Sequence, residues 1–198
     1  VAIQEWTEVD GFMRNSRLAE AGLKHGVTPR QLGDMKLPEK RKAAAEALGL
    51  AAVPLTLKQV HGTTVHTAAP EHAGKDGDGW LVDSPALAAG VYVADCVPIY
   101  LWSGDGKVAG VYHAGWRGLE AGMLWGAIEE MVLKRGVPIE TLKATIGPHL
   151  RSCCYRVGAE FKEKQLGAAV RQRGEELFLD MSAFIRRSWL KFGEAWGS

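Results

Sequence analysis

The sequence predicts an α/β fold in a single domain over residues 1–198, and three observations carry that reading. Short apolar and β-branched runs recur at 53–60, 63–69, 87–94, 98–102, 108–113 and 142–146, each bounded by glycine, proline or polar corners. Other segments, above all 119–135, space their apolar residues at helical intervals. No repeat, low-complexity tract or linker interrupts the 198 residues, a length that suits one domain with a substantial core.

Residues 1–10 alternate loosely and fit either a short strand or an irregular start. The stretch 11–33 is rich in glycine and arginine; 18–22 fits a helical turn and 25–28 resembles a strand. A helix follows over 39–48, with Pro38 in its first turn, alanines at 43–45 for propensity and Gly49 to end it. His61-Gly62 makes a turn or bulge between strands 53–60 and 63–69, and 71–79 is a polar, glycine-rich loop. A short strand at 81–82 precedes the buried strands 87–94 and 98–102, joined at the polar corner Asp95-Cys96. A turn at 103–106 leads to the strand that carries His113. Leu119, Met123, Ile128 and Val132 stripe one face of the helix 119–135, which Gly136 closes. A strand at 142–146 and two further helices, 159–173 and 180–192, complete the chain.

Composition excludes several function classes. Lys plus Arg total 24 against 23 Asp plus Glu, a net charge of +1, so the basic footprint of a nucleic-acid binder is missing. No apolar run reaches the roughly 20 residues that span a bilayer, so no membrane partner is expected. The N-terminus shows no signal-peptide pattern, and three cysteines make no disulfide framework in a chain this large. A soluble protein of the reducing cytoplasm is the expectation.

Chemistry-bearing residues gather at the corners. His61, Cys96 and His113 sit at the ends of three separate apolar runs, and α/β folds build sites from such strand ends. Two imidazoles and a thiolate suit zinc with a fourth position left open. Their spacing is not that of a zinc finger or knuckle, so an open, catalytic site fits better than a structural one. Other readings stay open: each histidine as a hydrogen-bonded polar residue, Cys96 as a small core residue, or Cys96 with His113 as nucleophile and base. Asp78, between Gly77 and Gly79, fits a general acid/base or, more plainly, a turn former. Asp95 can orient a ligand or cap its corner. Arg30 and Arg117 can bind an anion, and Arg117 can instead tie down its turn through carbonyls. The adjacent Cys153 and Cys154 form a candidate redox pair, although neighbouring cysteines rarely bridge comfortably.

Four segments together carry a resemblance. They are Gln59-Val60-His61-Gly62, Ala94-Asp95-Cys96-Val97-Pro98, His113-Ala114-Gly115-Trp116-Arg117-Gly118, and Ile146-Gly147-Pro148 with Cys154-Tyr155. In order and register, from about residue 25 to about residue 160, they are similar to one bacterial family. It is described both as laccase-like multicopper polyphenol oxidase and as zinc-dependent purine nucleoside phosphorylase. The resemblance implies a mixed β-sheet core with helices packed outside it, in a largely monomeric enzyme. It places the metal ligands on His61, Cys96 and His113, a phosphate contact on Arg30 and the family's acidic residue on Asp78.

The implied function is zinc-dependent phosphorolysis of adenosine, inosine, guanosine and methylthioadenosine, with possible adenosine deamination; the partners are then a purine nucleoside and phosphate. Asp78 is the candidate proton donor to the departing base. A copper-dependent phenol oxidase is the alternative, but six histidines, at 25, 61, 66, 72, 113 and 149, make a small inventory for a multicopper centre. A catalytically reduced metal-binding protein is the third reading, because the chain departs from the family pattern. The family's stretches after Arg30 are missing, His149 and Arg156 replace common residues, and the chain stops before a usual C-terminal segment. These departures imply an altered or more open substrate pocket around an intact metal set.

Overall fold

Antiparallel pairing of two apolar strands places the site at one end of a sheet. The computed structural model describes residues 6–196; of the irregular start expected at 1–10, the first five residues lie outside the described residues. Strands β1 (Trp6–Val9) and β2 (Phe12–Asn15) make a hairpin. The main sheet has five strands: β3 (Val65–Thr67), β4 (Gly79–Val82), β5 (Val97–Trp102), β6 (Ala109–Ala114) and β7 (Lys143–Ile146). Their order is β3-β4-β6-β5-β7; β3 and β4 are parallel and the other pairs antiparallel. The mixed α/β architecture is as expected.

β5 and β6 lie at the centre, which explains their composition. A central strand covered on both faces needs apolar residues at successive positions, and Val97, Ile99, Leu101, Trp102 and Tyr112 are all fully buried. Helices α3 (Trp116–Glu120), α4 (Met123–Glu129) and α5 (Met181–Trp196) add Leu119, Met123, Ile128 and Ile185 to the same core. A smaller cluster on Trp80 and Leu57 includes Val111. Two helices lie N-terminal to the main sheet: α1 (Ser16–Glu20), capped by Asn15, and α2 (Pro38–Leu48), which runs from Pro38 to a left-handed Gly49 as expected.

Several elements differ from expectation, each for a local reason. The helix expected over 119–135 is divided, because Gly122 takes a left-handed φ of 96° between α3 and α4, and a π-helical turn follows at Glu130–Lys134. Segments 53–60 and 87–94 are not strands. They share only the bridge Leu55–Ala89, while Gln59 bonds the backbone of Tyr92 in both directions, through Nε2 to the carbonyl at 2.8 Å and from the N–H at 2.7 Å. The strand expected at 63–69 shortens to β3, and that at 25–28 to one bridge between Val27 and Met13. The helix expected at 159–173 is two 3-10 turns and a strand, β9 (Val170–Arg173), because Lys164 is extended. That strand joins β8 (Arg156–Val157) and β10 (Glu176–Leu179) in a second antiparallel sheet.

Ile128 is fully buried on α4, whereas Trp125 on the same helix is 37% exposed. Ile128→Ala is therefore expected to cost about 2–5 kcal/mol in urea unfolding, and Trp125→Ala markedly less.

Candidate metal centre

The end of β6 and the start of β5 meet because the two strands run in opposite directions. Ala114 pairs with Val97 and His113 with Pro98, so Cys96, one residue before β5, falls opposite Gly115 and diagonally across from His113 on the same face. His61 arrives from elsewhere. It lies in the loop before β3, at a left-handed φ of 60°, uncommon for a residue with a side chain. His61, Cys96 and His113 thus do not share the strand-end position expected of them, since 53–60 and 87–94 are irregular. Their potential ligand atoms nevertheless lie within 4.8 Å of one another, and the two imidazole rings stand 4.8 Å apart at 78°.

Asp78 holds this arrangement. It is fully buried immediately before β4, and its carboxylate accepts four hydrogen bonds. Oδ1 accepts from the His61 N–H at 3.0 Å and from His113 Nδ1 at 2.8 Å; Oδ2 accepts from the N–H groups of Val60 at 3.2 Å and Gly62 at 2.8 Å. Its backbone carbonyl accepts from the His113 N–H at 2.7 Å as well. The turn-former reading of Asp78 is thereby replaced: the residue organises the site. A proton donor to a departing base is also a poor description, because every carboxylate contact is that of an acceptor.

The protonation states suit a metal. Nδ1 of His113 donates to Asp78, which leaves Nε2 with a lone pair for a cation. Burial pushes the His113 imidazole below the ordinary histidine value and His61 adds to this, although the Asp78 hydrogen bond and charge pull it back. Burial likewise pushes the Cys96 thiol up, and the charges of Asp95 and Asp78 push it further. A cation at the site reverses that shift by stabilising the thiolate.

Two glycines permit the close packing. A Cβ on Gly115 would lie 2.9 Å from the His61 ring and 3.0 Å from the Cys96 sulfur; one on Gly118 would lie 3.0 Å from the Gly62 carbonyl. The need is for close approach, not for an unusual φ.

Other sequence candidates fall in different places. Arg30 opens a 3-10 turn at Arg30–Leu32 and, with His61 and His113, lines a broad cleft of about 1940 Å³. Arg117 stacks on Trp116, 4.5 Å from the ring centre, and among the described residues makes no hydrogen bond to the carbonyls of its turn, contrary to the tying role considered for it. His149 is structural: Nδ1 bonds the Gly147 carbonyl and Nε2 the Ser182 hydroxyl, each at 2.7 Å. Sequence reasoning missed Gln59 as the clamp on Tyr92, although it lies inside one of the four segments; only the bonded partner reveals the role.

Comparison with known proteins agrees with this geometry. Among the described residues this is an α/β protein with one His-Cys-His cluster, two members of which line a cleft. Residues 31–194 match the family described as multi-copper polyphenol oxidoreductase laccase, and the chain belongs to that family. A Shigella flexneri relative named purine nucleoside phosphorylase YfiH is 32% identical over 162 residues, which covers 78% of this chain and 65% of the relative. A Deinococcus radiodurans purine nucleoside phosphorylase is 34% identical over 75% of this chain and 60% of its own length. The chain thus spans somewhat less than two thirds of the curated relatives it matches. The crystal structure of YlmD from Geobacillus stearothermophilus has the same fold, with a TM-score of 0.79 and 23% identity over 94% of this chain and 83% of that one.

Two outcomes follow from the geometry. Asp78→Asn is expected to weaken metal binding about 10- to 100-fold in a competitive chelator titration. Burial also lowers His25 and His149 below the ordinary histidine value, so the unfolded chain binds more protons than the fold below about pH 6.5. Stability of the metal-free protein is therefore full above that pH and declines as pH falls toward the folded-state values. Urea midpoints measured on both sides of it check this, and His149→Gln should lose part of the decline.

Proposed function

We propose that the chain is a zinc-dependent purine nucleoside phosphorylase acting on adenosine, inosine, guanosine or methylthioadenosine. The observation that carries this reading is the His61–Cys96–His113 cluster, two of whose members face a cleft that Arg30 also lines. The curated relatives' names supply the reaction class. In phosphorolysis the bond from the sugar's anomeric carbon to the base nitrogen breaks, a bond from that carbon to an oxygen of hydrogen phosphate forms, and the base leaves with the proton that the phosphate gives up.

The donor set fits zinc, which accepts imidazole and thiolate together and tolerates an open fourth position. When bound, zinc supplies a Lewis acid at the cleft wall. Arg30 holds the phosphate, its fork matching the oxygens of the anion. Asp78 orients His113 and fixes the loop of His61, a positioning role in place of proton donation. All three ligands come from one chain, which supports a monomeric enzyme. The three cysteines are unpaired, in keeping with a reducing cytoplasm, and among the described residues no helix is long and apolar enough to cross a membrane.

Copper-dependent phenol oxidation is the second reading, favoured by the family's description. A multicopper centre needs several imidazole-rich groups, whereas one cluster of three His and Cys ligands stands among the described residues. The test is purified protein with inosine or adenosine, with and without phosphate. The expected result is phosphate-dependent release of hypoxanthine or adenine, abolished in Cys96→Ala. Arg30→Ala should cost about 1.5–3 kcal/mol, roughly tenfold or more in kcat/KM for phosphate. Ammonia released from adenosine without phosphate would show deamination instead. No nucleoside turnover, with phenol oxidation after copper loading, would overturn the reading.

A further inference from the structure

Cys153 and Cys154 lie outside the metal centre, and the proposed phosphorolysis does not use them. Both thiols are exposed. Successive side chains in extended backbone point to opposite sides, but here the chain turns. The N–H groups of Cys154 and Tyr155 both donate to the Arg151 carbonyl at 2.9 Å, and the Arg156 N–H donates to the Cys154 carbonyl at 2.9 Å. The turn brings the two sulfurs within 3.1 Å of each other, with the Cys154 thiol donating to Cys153. This contact and the neighbouring thiol hold Cys154 above the ordinary thiol range, while Arg173 pulls it down.

The separation selects among sulfur chemistries. A disulfide closes to about 2.05 Å and needs an oxidant. A linear, two-coordinate soft ion needs its sulfurs on opposite sides, which this turn does not offer. A pyramidal centre accepts two sulfurs on one side, at an acute angle, as these are already placed.

We propose that Cys153 and Cys154 form a vicinal dithiol site for trivalent, thiophilic metalloid compounds, of which monosubstituted arsenic(III) is the simplest. An arsenic(III) oxide exchanges its arsenic–oxygen bonds for two arsenic–sulfur bonds. The two thiol protons leave with the oxygen as one water, and neither arsenic nor sulfur changes oxidation state. The second bond forms intramolecularly, so the effective concentration of its thiol is high. Cys96 is half-buried and clusters with the imidazoles of His61 and His113, so it offers one such bond at most.

The test treats the reduced 198-residue chain with phenylarsine oxide and reads intact mass. One phenylarsenic group per chain is expected, retained in excess monothiol and removed by 1,2-ethanedithiol. Cys153→Ser and Cys154→Ser, both exposed and so expected to fold, should each lower retention about 100-fold or more. Undiminished retention in either variant, or no adduct on the reduced parent chain, would overturn the proposal.

Discussion

A buried carboxylate with four donors converging on it is the constraint from which the rest of the site follows. Asp78 is fully buried, and a buried charge without partners is strongly unfavourable. Here three consecutive backbone N–H groups, from Val60 to Gly62, and His113 Nδ1 satisfy it. These bonds join three parts of the chain that are distant in sequence: the loop before β3, the start of β4 and the end of β6. They also hold His61 in a left-handed conformation that a residue with a Cβ otherwise avoids. Backbone, tautomer and ring orientation are thus set by one side chain.

The central strand pair supplies the other half of the geometry. Antiparallel pairing of β5 with β6 puts Cys96 opposite Gly115 and diagonal to His113, the penultimate residue of β6, with both side chains on one face of the sheet. The chain then turns straight into α3 through Gly115, with no side chain to displace His61 or the Cys96 sulfur. α3 and α4 pack Leu119, Met123 and Ile128 onto the same sheet, so burial of the core and placement of the ligands depend on one another. Disturbing the entry to α3 should therefore disturb the metal site as well as the packing.

Much of this was legible in the sequence. The central strands announced themselves through unbroken apolar residues, and α2 through Pro38 and Gly49. The candidate triad was visible as imidazoles and a thiol at polar corners, and the structure brings the three side chains together. What escaped is long-range or depends on one backbone angle. The helix through Leu119 and Met123 looks continuous, because a glycine's choice of φ at 122 leaves no trace in apolar periodicity. Segments 53–60 and 87–94 have strand-like composition, yet they pair only at Leu55, which bonds the backbone of Ala88 and Gly90, and through the Gln59 side chain, so no continuous ladder forms. Asp78 between two glycines reads locally as a turn; its role appears only when residues 16–18 and 35 positions away are seen to donate to it.

Assembly of His61, Cys96 and His113 into one metal centre by Asp78 is open to direct measurement. Anomalous diffraction from crystals of the zinc-loaded protein, recorded on both sides of the zinc absorption edge, tests it most directly. The expected result is a single strong zinc peak bonded to the Cys96 sulfur, Nε2 of His113 and a ring nitrogen of His61, with His113 Nδ1 still on Asp78. A zinc ion bound elsewhere with this triad empty, or held without Cys96, would contradict it.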